Sequence, residues 1–97
     1  MPLLNDCKTA LRIRNNSELI ANEISDLISA ARQDLILSGI LAIKANDDND
    51  ALIKRAITIY VKANFGFDNP DAEKLQNSYE LLKMSLALSS DYTMGGS

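Results

Sequence analysis

Residues 51–88 read ALIKRAITIYVKANFGFDNPDAEKLQNSYELLKMSLAL. On a helix turning about 100° per residue, Leu52, Ala56, Ile59, Tyr60 and Ala63 share a narrow sector. Ile53, Ile57 and Val61 widen that sector to roughly 200° of arc, and Lys54, Arg55, Thr58 and Lys62 fill the rest. A helix packed on one neighbour needs an apolar stripe only about half as wide. The first part of the stretch is therefore expected to be a helix that touches two or more others and forms the hub of the core. Its β-branched residues also suit a strand. A run of about 15 residues with a helical polar face argues against one.

The hub is followed by a marked turn. Gly66 suits a left-handed conformation after the helix. Asn69-Pro70 reads as an N-cap followed by proline at the first helical position, with Asp71 and Glu73 in the first turn, where the helix dipole favours acids. The last helix is expected over residues 70 to about 89. It carries two apolar stripes: Leu75, Tyr79, Leu82 and Leu86 on one face, and Leu81, Met84 and Leu88 on roughly the opposite one. One stripe can enter the core. The other has surplus apolar surface and needs a second partner.

The rest of the chain supports the same architecture. Residues 1–14 read as a short helix with Leu3, Leu4, Cys7, Ala10 and Leu11 at helical spacing and with basic residues towards its C-terminal end. Asn15 and Glu18 have the spacing of a capping box. The helix they start is expected to run to about Ser38, with Ile20, Ile24, Leu27, Ile28, Ala31 and Leu35 as its buried stripe and Gly39 suited to its C-cap. Glu18, Glu23, Asp26 and Asp34 outnumber Arg32 on its outer surface. The run from Ile40 to Ile43 fits either one helical turn or a short extended segment. Residues 45–50 form a polar loop in which Asp50 or Asn49 can cap the hub helix. Residues 90–97 are polar and are expected to form a flexible tail. The expected fold is all-α: one domain over residues 1–97, a small bundle of about four helices.

Composition narrows the function classes. The chain has 97 residues, a net charge of −3, one cysteine and no histidine. An acidic chain has no electrostatic case for wrapping nucleic acid, whose binding is dominated by phosphate neutralisation. A lone Cys7 excludes an internal disulfide and suits a packed core thiol better than a reactive one, with no base nearby in sequence. The absence of histidine removes the commonest general base and metal ligand. The Asp- and Asn-rich loop at 46–50 lacks the glycine and the closing glutamate of an EF-hand. We expect no catalytic residue, no cofactor and no metal site. No apolar run of 18 residues and no signal-peptide pattern is present, so a soluble chain is expected. Charge is segregated, with Lys54, Arg55 and Lys62 and no acid on the hub helix, and acidic second and last helices. In a ring of identical subunits a basic face can meet a neighbour's acidic one. The expected interface residues are therefore Leu81, Met84 and Leu88 with Lys54, Arg55 and Lys62.

Two readings of other classes fit the residues. One is a DNA-binding helical module, a small packaging subunit or repressor: the turn from Gly66 to Asn69 suggests a helix-turn-helix, although Asp71 and Glu73 stand where base and phosphate contacts would be. A generic helical interaction or regulatory subunit would share the fold and the surplus apolar surface.

The stretches 51–57 (ALIKRAI), 60–66 (YVKANFG), 68–73 (DNPDAE) and 78–83 (SYELLK) resemble the head–tail connector, or adaptor, family of tailed bacteriophages, often labelled DNA-packaging proteins. The order of elements agrees with that family over nearly the whole chain. The resemblance rests on packing residues and carries no active site. It implies a structural virion protein, assembled in the host cytoplasm, that forms a ring of about a dozen subunits under the portal. Such a ring extends the DNA channel and joins the filled head to the tail. The implied partners are other copies of the chain, the portal protein, and a head-completion or tail protein. DNA only passes through, and no membrane is involved.

Overall fold

The computed structural model describes residues 2–13, 17–66 and 69–94. These form six helices and no strand: α1 (Pro2–Ala10), α2 (Glu18–Leu37), α3 (Ala42–Ala45), α4 (Ala51–Asn64), α5 (Ala72–Ala87) and α6 (Ser90–Thr93). The fold is a small all-α bundle, as expected. Among the described residues no helix is long and apolar enough to cross a membrane.

α4 is the hub. The Asp50 carboxylate caps it, accepting hydrogen bonds from the Leu52 and Ile53 amides at 2.9 and 3.1 Å. Ile53, Ala56, Ile57, Val61 and Ala63 are buried, and α1, α2 and α5 all pack on this helix. The buried arc is rotated from the one the pattern suggests. It centres on the Ile53–Ile57–Val61 side, and Leu52 is 44 % exposed. α2, the longest helix, packs on α4 and supplies Ile24, Ile28, Ala31 and Leu35 to the same core, whereas Leu52 stands in the first turn at the rim.

Helix directions follow from contacts at the ends. The Gly66 amide, just past α4, meets Glu23 near the start of α2 at 3.4 Å. Arg32, late in α2, reaches Asp48 before α4. α2 and α4 are therefore antiparallel. The Asn69 side chain donates to the Lys62 carbonyl at 2.6 Å, and the Tyr92 hydroxyl after α5 donates to Asp50 before α4 at 2.9 Å. α5 is thus antiparallel to α4 and runs the same way as α2.

Several boundaries differ from the sequence expectation. α1 ends at Ala10 rather than Arg14, because the chain reverses in a Schellman motif. The Arg12 amide bonds to the Thr9 carbonyl and the Ile13 amide to the Lys8 carbonyl. Arg12 takes the left-handed position, with φ 59°. α2 ends in the same motif, here with Gly39 at φ 107°, so the expected role of Gly39 holds. The following Ile40 folds back and is buried next to Leu35 in the core. Residues 40–43 resolve into this cap followed by the first residues of α3. The proposed capping box at Asn15 lies outside the described residues; α2 begins at Glu18, with Ser17 in the N-cap position. α5 begins at Ala72, two residues after Pro70. Asn69 still organises that start, since its side-chain oxygen accepts from the Asp71 amide at 3.1 Å. Residues 90–93, expected in a flexible tail, form α6. The Leu41 amide bonds to the Tyr92 carbonyl at 2.9 Å, and Tyr92 packs partly against the core.

Two substitutions test this account. Ile57→Asp places an unpaired charge at a fully buried position and should cost about 4 kcal/mol or more. The expected result is loss of a cooperative thermal melt. Arg12→Gly relieves a left-handed non-glycine residue and should stabilise the protein by about 0.5–1 kcal/mol. A raised urea midpoint with an unchanged m-value checks it.

Candidate interaction surface

α5 carries its two stripes in different surroundings. Tyr79 and Leu86 are buried, and Leu75 and Leu82 are half-buried. The Tyr79 ring meets Tyr60 edge-on, with centroids 5.1 Å apart. Its hydroxyl donates to an Asp34 carboxylate oxygen at 2.5 Å. Lys83 donates to the same oxygen at 3.0 Å and pairs with Glu80 at 3.1 Å. The Lys83 ammonium also lies 5.3 Å from the Tyr79 ring centroid.

This cluster satisfies the polar end of a buried aromatic and fixes the rotation of α5 against α2. Burial opposes the Asp34 charge, but the hydrogen bonds from Tyr79 and Lys83 outweigh it and hold the Asp34 pKa below the usual carboxylate value. For Lys83, partial burial works against the ammonium, and its bonds to Asp34 and Glu80 more than compensate, so its pKa is raised. Burial and the Asp34 carboxylate together push the Tyr79 hydroxyl well above its ordinary value.

With Tyr79 pointed inwards, the opposite side of α5 faces solvent. Leu81, Met84 and Leu88 are 66 %, 57 % and 82 % exposed. They form the apolar stripe that the sequence leaves without a partner.

The three cations of the hub helix differ from one another. Lys54 pairs with Asp6 of α1 at 2.9 Å. Arg55 is exposed, and Lys62 is half-buried beside a shallow depression shared with Asp71, Lys74, Leu75 and Ser78. Lys54 is thus balanced internally, and Arg55 and Lys62 remain as the outward cations of α4. They stand on a different helix from the apolar stripe.

Sequence reasoning placed Arg32 and Asp34 on the outer surface of α2, and the structure corrects both. Each lies about 80° from the buried stripe, at the border where neighbours reach it. Arg32 turns to Asp48 at 2.7 Å and to the Ala45 carbonyl at 2.9 Å, tying the polar loop to α2. Asp34 turns to α5. The signal for the second contact was present: a tyrosine inside an otherwise aliphatic stripe needs a polar partner near its tip.

The polar loop is engaged in folding. Asp48 meets Arg32, Asp50 caps α4, and Asp47 accepts from the Asn49 amide. Among the described residues no three His, Cys, Asp or Glu side chains are grouped so as to hold a metal ion. Cys7 is fully buried, and burial raises its thiol pKa, which suppresses thiolate chemistry. Tyr92 is likewise pushed up, to about 12, by burial and by its bond to Asp50.

The polar clusters around Asp34, Arg32 and Asp50 serve the fold, and α5 is left with an exposed apolar stripe, the kind of surface that marks a protein–protein contact. A family model described as phage connector protein matches residues 3–93. The chain belongs to the phage connector protein family, a structural family of bacteriophages, in agreement with the head–tail connector resemblance of its sequence. No curated protein and no solved structure matches it.

The Asp34 cluster sets a pH window. Asp34 has a depressed pKa in the fold, so its contribution is present above the unfolded value of about 3.9 and is lost as pH falls through the lower folded value. Lys83 and Tyr79 have raised values, so theirs are present below about 10 and lost as pH rises through the folded values. Tyr79→Phe should cost about 1–2 kcal/mol at pH 7, near the lower end for a bond to a charged group because Asp34 is partly exposed. Asp34→Asn should flatten the fall in melting temperature below pH 4. Denaturant titration at pH 7 and melts between pH 2 and 5 check the two.

Proposed function

We propose that this protein is a head–tail connector subunit. It forms a ring under the portal vertex, extends the DNA channel and joins the filled head to the tail. The observation that carries the reading is the family match over nearly the whole chain. The exposed stripe of Leu81, Met84 and Leu88 supports it, because a monomer gains nothing from holding three large apolar side chains in water on one helical face. In the assembled particle the stripe is covered by the portal or by an adjoining head-completion or tail protein. The net charge of −3 suits a channel component: DNA slides past a wall that neutralises none of its phosphates. The work done is geometric, a matter of matching one ring to the next.

The helix-turn-helix reading gains no support. α5 opens with Asp71 and Glu73 exposed, which would repel a phosphate backbone.

The test is native mass spectrometry of the pure chain over a concentration series, alone and mixed with the portal protein of the same phage. A closed ring of about a dozen copies, free or on the portal, is the expected result. A chain that stays monomeric in both settings overturns it. Leu81→Ser/Leu88→Ser should leave the melt within about 0.5 kcal/mol, as for other exposed positions, while preventing incorporation into the assembly.

A further inference from the structure

The bundle has two oppositely charged faces on opposite sides. α2 and α4 pack directly on each other through their buried stripes, so their outward faces point in opposite directions. On α2, Asp26 lies roughly 170° from the Ile24–Ile28 stripe, with Glu18 and Glu23 to either side. All three acids are exposed. The only cation of α2, Arg32, is turned away from that face and held by Asp48. On α4, Arg55 and Lys62 lie roughly 150° from Ile57. The helix contains no acid, and Lys54, its third cation, is already paired with Asp6. Around Lys62, Lys74 of α5 adds a positive charge and Asp71 a negative one, so the patch stays basic.

Each face also carries exposed apolar groups that a contact would cover. Leu19 and Leu37, 81 % and 85 % exposed, stand at the two ends of the outer row of α2. Leu52 stands one turn from Arg55 on α4.

We infer that these two faces are the front and back of one subunit-to-subunit contact: the outer face of α2 in one copy docks on the Arg55–Lys62 face of α4 in the next. The inference rests on the ring reading above and specifies its contact. Two different, complementary surfaces on opposite sides of one chain make a heterologous contact, the kind that propagates and closes into a ring. A twofold dimer through either face would set like charges against each other. The assignment leaves the α5 stripe free for a different protein.

The test is charge reversal in the full chain, read by native mass spectrometry alone and with the portal protein. R55E/K62E makes both faces acidic, and D26K/E23K makes both basic. Each is expected to abolish the ring while keeping the helical circular dichroism and cooperative melt of the wild type. Mixing the two variants, or combining all four substitutions in one chain, restores complementarity and is expected to restore the ring. A wild-type ring that persists in both reversed variants overturns the α2–α4 contact and leaves the connector reading intact. Folded single-face variants that lose the ring, with no recovery in either the mixture or the combined chain, also overturn it. A wild type that never assembles, alone or on a portal, fails both.

Discussion

The structure depends on one mismatch between α4 and any single neighbour. Ile53, Ala56, Ile57, Val61 and Ala63 spread the buried surface of this helix over nearly half its circumference. No one helix can cover that arc, because a helix–helix contact is only a stripe wide. Three are recruited. α2 packs along α4, α5 brings Tyr79 to Tyr60, and α1 places Cys7 beside Thr58. Everything else in the bundle is arranged round these three contacts. The turn at Asn69 and the cap at Asp50 hold the two ends of α4 where its partners need them.

Polar groups then decide orientation, which apolar packing alone leaves loose. Hydrophobic burial is non-directional, so α5 could roll against α2 and α4 with little loss. Tyr79 removes that freedom. Its ring must be buried and its hydroxyl must find an acceptor, and Asp34 stands at the edge of α2 to provide one. Lys83 neutralises the resulting carboxylate. Arg32 with Asp48, and Tyr92 with Asp50, do the same for the polar loop and α6. Removal of one partner from such a cluster leaves a poorly solvated charge or donor, and this is why a few polar side chains can define a single packing.

What could be read from the sequence follows from the same division. The hub helix, the stripe of α2, the two stripes of α5, the role of Gly39 and the cap at Asp50 are written in periodicity and turn chemistry, which act within a few residues. The rotation of α4 was not readable, because it depends on which side the 20-residue α2 occupies. The inward turn of Arg32 and Asp34 depends on Asp48 and Tyr79, 16 and 45 residues away. α1 stops early at a left-handed arginine, where composition offers no warning of the kind glycine gives. α6 escaped notice because it is held from outside, by Leu41 and Asp50. The apolar stripe was readable because it is an excess over what one core can use, and an excess shows in sequence without its partner.

That excess separates the roles of the surfaces. Exposed apolar area contributes binding free energy with little directional preference, whereas charge complementarity contributes registry and partner choice. On α5 the apolar stripe is bordered on one flank by Lys83 and Glu80, which satisfy each other and Asp34. It therefore presents grease with little unspent charge. On α2 and α4 the ratio is reversed, with isolated leucines among exposed acids on one side and cations on the other. In the ring proposed above, a subunit that repeats round an axis needs direction, and the charged pair of faces suits that contact between copies. A subunit that must also seal against a differently shaped ring needs adhesion that tolerates mismatch. On the proposed connector reading, a flexible methionine between two leucines, carried on a helix locked by Tyr79, is suited to that adhesion.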